Sequence, residues 1–167
     1  GTTPRPSDLS ELRPLPLRRL RTPRDRFEGE LRQHLKASDA SKRFVALVDL
    51  TEQLDLRAFA RQLRASSASK AKTRAAVVFA LESVAARQQA RLRPLLDRLV
   101  ATGSIGYVHP VAVLNRVVVE GTASGLLAIG SSDEVAAVLP DWTSERAASR
   151  TGDVLMETGA PSGPSFR

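Results

Sequence analysis

The chain has 167 residues, enough for one folded domain with polar extensions, and 42% of these residues are hydrophobic while only 4% are aromatic. It contains no cysteine, which excludes a disulfide framework, a thiol nucleophile and a cysteine-based zinc site. The net charge of +7 comes mainly from arginine, which outnumbers lysine 21 to 4, a skew that genomic base composition alone can produce.

Residues 1–42 are predicted to form a basic arm rich in proline and arginine. Prolines interrupt the stretch from Pro4 to Arg26, which favours extended coil over a basic helix. Phe27, Leu31 and Leu35 then follow at four-residue spacing, so that 25–36 is expected to be a short amphipathic helix. This helix would dock on the chain's own core or on a partner, and the first of these is favoured.

The first predicted strand is the nearly continuous apolar run 44–50, as expected for a central strand. Asp55 is placed to cap a helix that extends through Arg64, and residues 66–69 form a polar break. A longer helical pattern begins at Lys70. Because proline costs a helix one hydrogen bond, Pro94 predicts a break near 92 and a further helical segment that ends at Gly103.

Three further strands and a short helix are predicted in the remainder of the domain. The second strand starts at Ile105 and continues past Pro110 to 114, and its proline predicts an edge position or a bulge. A tight reversal near Asn115 leads to the third strand, 116–120. Thr122 caps a helix over 123–129, and the fourth strand covers 135–139 before Pro140.

These elements predict an α+β fold of the ferredoxin-like type. The order βαββαβ gives a four-stranded antiparallel sheet with helices on one face, plus extended N-terminal and C-terminal arms. We expect the arm 1–42, a domain at 43–142 and a tail at 143–167. The face of the sheet that no helix covers would expose valine and alanine, which is typical of a protein-binding surface.

No catalytic set is recognisable, and the chain is predicted not to be an enzyme. The two histidines, His34 and His109, lie in an amphipathic arm and beside a proline in a strand, without the partners that a catalytic triad needs. The glycines around Thr122 lack the lysine of a phosphate-binding loop. We therefore expect no cofactor and no metal.

Residues 43–142 resemble the propeptide of subtilisin-like serine proteases, and most of all the longer propeptides of bacillopeptidase F-type enzymes. Three features carry the resemblance: the strand 44–48 followed by Leu54-Asp55-Leu56, the helix ending with Gln88-Gln89 and Pro94-Leu95-Leu96, and Leu114-Asn115 before a strand, a helix and 135–141. The protease motifs themselves are absent from this chain.

The resemblance implies an intramolecular chaperone and competitive inhibitor, in which the open sheet face packs on the protease and the tail lies in the substrate cleft. Asn115 corresponds to the turn of the family. Asp141 matches an acidic residue that caps a protease helix, although a turn residue after Pro140 would look the same. The cleft segment would be Trp142, Thr143, Ser144, Glu145, Arg146 and Ala147, or alternatively Val154, Leu155 and Met156.

The partner implied is thus a subtilisin-like catalytic domain, either on the same chain or encoded separately. A basic ferredoxin-like module that binds nucleic acid is the alternative; the scarcity of aromatic residues disfavours it. No apolar run reaches the length of a membrane span, and no membrane partner is expected. Because the chain starts with Gly1, a removed leader would favour a secreted or periplasmic location, while the cytoplasm stays open.

Overall fold

The computed structural model describes residues 14–22 and 24–141. Six strands and four helices follow in the order β1 (Leu17–Arg19), α1 (Leu31–Ala37), β2 (Arg43–Leu50), β3 (Glu52–Leu54), α2 (Leu56–Ala65), α3 (Lys70–Ala101), β4 (Ile105–Val111), β5 (Arg116–Thr122), α4 (Ala123–Gly130) and β6 (Val135–Pro140). A single 3-10 turn, Ala112–Leu114, joins β4 to β5. The second predicted strand is therefore shorter than expected, since the chain turns at 112 instead of continuing to 114.

The main sheet has the strand order β4-β5-β2-β6, and all neighbouring pairs are antiparallel. The chain is therefore an α+β protein with a four-stranded antiparallel sheet, and its βαββαβ order confirms the predicted ferredoxin-like arrangement. In β2 every second residue is buried, namely Phe44, Ala46, Val48 and Leu50. This period of two assigns one face of the sheet to the core.

The main core lies between this face and the helices. α1, the C-terminal half of α3 and α4 contribute Leu35, Leu92 and Ile129, which are almost completely buried. The caps formed as predicted: the Asp55 carboxylate accepts from the Ala58 N–H at 2.9 Å, and the Thr122 hydroxyl accepts from the Gly125 N–H at 3.3 Å. Each cap satisfies a backbone donor that the helix leaves without an internal partner.

Part of the predicted N-terminal arm belongs to this core. Phe27, Leu31 and Leu35 are all buried in it, but the helix begins only at Leu31, because Gly29 has φ +57° and interrupts helical geometry. Phe27 instead bridges to Val138 of β6 and covers the outer edge of that strand. The aromatic ring also contacts Gly130, where an added Cβ would come within 2.4 Å of it. The prediction of a helix over 25–36 was thus too long at its start.

Helix α3 runs unbroken through Pro94, so the predicted break near 92 was wrong. The proline removes one backbone hydrogen bond, the one to Ala90, and both residues lie on the exposed side of the helix. Water can therefore solvate the free carbonyl, while Leu92 and Leu96 hold the helix on the sheet from both sides of the proline. Gly103, with φ +74°, follows the helix end as expected.

A second, smaller core forms around the N-terminal half of α3. It contains six buried residues, Leu54, Phe59, Leu63, Ala76, Ala80 and Val84. β1 pairs with β3 beside it, and Leu15 packs against the same cluster. The segment from 14 to 22 is therefore a short strand with its flanks, not the extended coil that its prolines predict. We call residues 14–22 and 54–81 the helical lobe, and residues 24–53 and 82–141 the sheet module.

Candidate functional site: the open face of the sheet

The face of the main sheet opposite the helices carries the strongest candidate site. The register places four side chains side by side across all strands: His109, Val118, Leu47 and Leu139. Val45 continues the apolar surface one row further along β2. We call this surface the open face; its residues are Arg43, Val45, Leu47, Asp49, Tyr107, His109, Arg116, Val118, Glu120, Ala137 and Leu139.

Among the described residues, no helix packs on the open face. Val45, Leu47, Val118 and Leu139 are only partly buried and belong to neither hydrophobic cluster. On β5 the contrast with the helix side is direct, because Val117 and Val119 are almost fully buried while Val118 between them is not. The sheet therefore presents a continuous aliphatic strip to its surroundings, as the predicted arrangement with helices on one face implies.

Two ion pairs border the aliphatic strip. Arg116 donates from Nε and Nη2 to the two carboxylate oxygens of Asp49, at 2.5 and 3.0 Å. Arg43 donates from Nε to the Glu120 carboxylate at 3.1 Å. The hydrogen bonds that Arg116 donates to the Asp49 carboxylate raise the pKa of Arg116 above its ordinary value, so that this guanidinium stays charged. Because each cation faces its own carboxylate, the border of the open face adds no net charge. A partner can thus approach without a large electrostatic penalty.

Aromatic rings extend the open face at its β4 edge. Tyr107 and His109 stack with ring centroids 6.2 Å apart and an interplanar angle of 11°, and Tyr107 is 52% exposed. A ring with an apolar body and a polar tip is frequent in protein interfaces. Stacking restricts both rings before a partner arrives, which lowers the entropy lost on binding.

Asp141 directly follows β6 at the end of the open face. Its backbone N–H donates to the Val45 carbonyl at 3.1 Å, which extends the pairing of β6 with β2 by one residue. The side chain is partly exposed. This position agrees both with the predicted contact to a protease helix and with a turn residue. The predicted cleft segments, 142–147 and 154–156, lie outside the described residues.

Asn115 is not part of the open face, because it is buried at the base of the β4–β5 turn. It adopts left-handed backbone geometry, with φ 42° and ψ 56°, a conformation that asparagine tolerates better than most residues. Its amide donates to the Glu52 carbonyl at 2.6 Å and to Gln88 Oε1 at 2.8 Å. The predicted reversal is therefore correct, and the residue serves the fold.

Gln88 is the centre of a polar network that the sequence did not indicate. Its side chain is completely buried and accepts from the Glu52 N–H at 2.9 Å while it donates to the Thr51 hydroxyl and to Glu134. Arg91 joins Glu52 to Glu134 from the solvent side. The only signal was a polar residue at a core position in the spacing of Val84, Gln88 and Leu92. This network connects α3 with β3, with the β4–β5 turn and with the residue before β6.

The histidines contact aromatic rings. His34 meets Phe44 edge-on at 5.7 Å, and His109 stacks on Tyr107. Within 14–22 and 24–141, no three His, Cys, Asp or Glu side chains are grouped so that they could hold a metal ion. A helix long and apolar enough to cross a membrane is also absent from these residues.

Two grooves accompany the open face on other parts of the surface. The larger, about 500 Å³, lies between α3 and β4 and is lined by Leu96, Val100, Val108, Pro110 and Val117 together with Gln89 and its neighbours. The smaller, about 440 Å³, lies between α2 and α3.

Comparisons with protein-family models, with curated proteins and with solved structures found no match for this chain.

Proposed function

We propose that this chain acts as a propeptide of a subtilisin-like serine protease, assisting the folding of the protease and then inhibiting it. In this proposal the open face packs against the catalytic domain, and the tail after Asp141 enters the substrate cleft. The same contacts would serve a separately encoded inhibitor that acts in trans. The observation that supports the proposal most is the aliphatic strip of Val45, Leu47, Val118 and Leu139, which the helices of the described part of the chain leave uncovered.

Burial of this strip would provide the binding energy. Each aliphatic side chain that becomes fully buried contributes roughly 1.5–3 kcal/mol relative to full exposure, and less here because these side chains are already partly covered. The two border ion pairs are internally neutralised, so a partner gains contact area without having to supply opposite charges. An antiparallel sheet with one buried and one open face is a rigid template, because the buried face fixes its register.

The direction of β6 agrees with a product-like tail. β6 pairs with the central strand β2, and the Asp141 N–H continues this pairing at the level of Val45. Residues 142–147 would thus begin beside the partner's surface. A chain that leaves an anchored sheet in extended form can add main-chain hydrogen bonds in a cleft, while its side chains enter pockets.

The test is inhibition of a subtilisin-like protease by the full chain, measured by hydrolysis of a chromogenic peptide. We expect inhibition at submicromolar concentration and at least tenfold weaker inhibition by Val118→Glu, which places a charge in the centre of the strip. The matched control is Val78→Glu, at a 53% exposed valine in the helical lobe, and it should inhibit like the parent chain. Circular dichroism establishes that both variants fold.

Two results would reject the proposal: full protease activity in the presence of a micromolar excess, or equal effects of the two valine substitutions. Limited proteolysis of the inhibited complex then separates the two tail segments. Protection of bonds in 142–147 assigns the cleft segment there, and cleavage of these bonds with protection of 154–156 assigns it to the second segment.

A further inference from the structure

The helical lobe concentrates the positive charge of the chain. It carries nine cationic side chains and a single carboxylate, that of Asp55, a net charge of +8. The sheet module carries eleven cations and twelve carboxylates, a net charge of −1. The nine cations are Arg18, Arg19, Arg21, Arg57, Arg61, Arg64, Lys70, Lys72 and Arg74, and all of them are exposed.

The cations of the lobe are also free of ion pairs within the described part of the chain. Every salt bridge found there belongs to an arginine of the sheet module, such as Arg32 with Asp25 or Arg91 with Glu52. The one carboxylate of the lobe is occupied as the cap of α2. Opposite charge for this surface must consequently come from outside the lobe.

α2 arranges three of these cations in a stripe. Arg57, Arg61 and Arg64 are four and three residues apart and lie on one side of the helix, opposite the buried Phe59 and Leu63. The stripe extends about 10 Å along the helix axis. Lys70, Lys72 and Arg74 follow in the first two turns of α3, which packs on α2 through the shared small core.

We infer that the helical lobe binds the phosphate backbone of a double-stranded nucleic acid, without sequence preference. Arginine forms bidentate hydrogen bonds with phosphate oxygens, and a regular row of arginines suits a regular row of phosphates. The side chains beside the stripe, Ala60 and Ala65, are small, so the helix can approach the backbone closely. This inference is independent of the protease proposal, because it uses a different surface.

The lobe fits other polyanions less well. Insertion into an anionic bilayer needs large apolar side chains on the basic face; the α2 stripe is flanked by Ala60 and Ala65, and the exposed Leu56 lies about 100° around the helix from Arg57. Binding to single strands relies on bases stacking on aromatic rings, and the lobe exposes one ring, that of Phe79. An unstructured acidic peptide would be attracted by charge alone and would gain nothing from the regular spacing of the arginines.

The experiment titrates a fluorescent 20-base-pair duplex with the full chain at several salt concentrations. We expect log K to fall linearly with log salt, with a slope of about −0.9 for each phosphate contacted. The triple variant R57Q/R61Q/R64Q should weaken binding at least tenfold at 100 mM salt and make the slope shallower by about 2–3. Glutamine keeps helix propensity close to that of arginine, so the lobe should still fold.

The matched control is R24Q/R93Q/R98Q, which removes the same charge from exposed arginines of the sheet module. Retention of affinity by the control supports the assignment to the lobe. Equal loss in both variants, no binding at 50 mM salt, or tighter binding to polyglutamate or to anionic vesicles than to the duplex would overturn it. Val118→Glu should bind the duplex like the parent chain, which separates this test from that of the protease proposal.

Discussion

The sheet module and the helical lobe differ in their charge balance, although one helix, α3, contributes residues to both. In the module nearly as many cations as carboxylates are present, and many are joined in pairs such as Arg116–Asp49. In the lobe the cations repel one another, and only a small, alanine-rich core opposes this repulsion. The module gains stability from its surface, while the lobe loses stability in exchange for attraction to anions.

The cores differ in the same direction. The main cluster contains seventeen buried residues, whereas the small core around the lobe contains six, of which Phe59 carries the only aromatic ring. Local opening costs less where few apolar contacts have to separate. We therefore expect the lobe to open without the sheet, and three measurements test how far the two regions differ.

The largest effect is expected for Phe59→Ala. Removal of a completely buried phenylalanine ring costs about 3–5 kcal/mol, which is more than the small cluster of the lobe can absorb. Amide hydrogen exchange should accelerate in α2 and in the first turns of α3, while β2 and β5 keep their protection. For comparison, Leu92→Ala in the main cluster should accelerate exchange in both regions. A single transition of the whole chain in Phe59→Ala would show that the two regions form one cooperative unit.

A smaller effect is expected at the polar network where α3 meets the sheet. Gln88→Met leaves the Glu52 N–H and the Thr51 hydroxyl without their buried partner and should lower the free energy of unfolding by about 3 kcal/mol. The adjacent Gln89 is the control, since its Nε2 is buried without a hydrogen-bond partner in the described residues. Gln89→Met should be neutral or slightly stabilising in urea denaturation. Equal destabilisation by both substitutions would contradict the assigned network.

The smallest effect concerns acid, and it belongs to the module. A hydrogen bond from Arg32, followed by one from the Phe27 N–H, lowers the pKa of Asp25 below its ordinary 3.8. A lowered pKa stabilises the fold above about pH 4, and this contribution disappears as the pH falls through the folded-state value. Thermal melts of Asp25→Asn should thus differ from the parent near pH 6 and converge with it near pH 2. Because this carboxylate is half exposed, the difference should be small and should shrink further in salt.

Local signals in the sequence predicted the elements of this fold well. The cap residues Asp55 and Thr122, the polar break at 66–69 and the apolar run 44–50 are signals within a few residues, and each led to the correct element. Pro94 misled the prediction because its cost, one hydrogen bond on an exposed side, is small beside the burial of Leu92 and Leu96. In the same way, Gly29 delayed the start of α1 although the apolar spacing began at Phe27.

The candidate site was predictable only in part. The predicted βαββαβ order places the helices on one face of the sheet, which indicates that the other face stays open. Which residues meet on that face depends on the register between distant strands, such as Leu47 opposite both Val118 and Leu139. The encounter of Gln88 with Asn115 depends on the same long-range pairing. The positive lobe was hidden for a related reason, because its cations come from two segments that long-range contacts join, namely the β1–β3 pairing and the packing of Leu15 on the small core.

The central position of β2 in the sheet affects how the chain folds while it is being synthesised on the ribosome. β2 ends at residue 50, but its neighbours β5 and β6 end at residues 122 and 140. The main sheet therefore cannot form until nearly all of the described chain has been synthesised. The six buried residues of the small core are spread over only about thirty positions, from Leu54 to Val84. Nearby contacts close faster than distant ones. The helical lobe should consequently fold first during synthesis on the ribosome, and the open face of the sheet last.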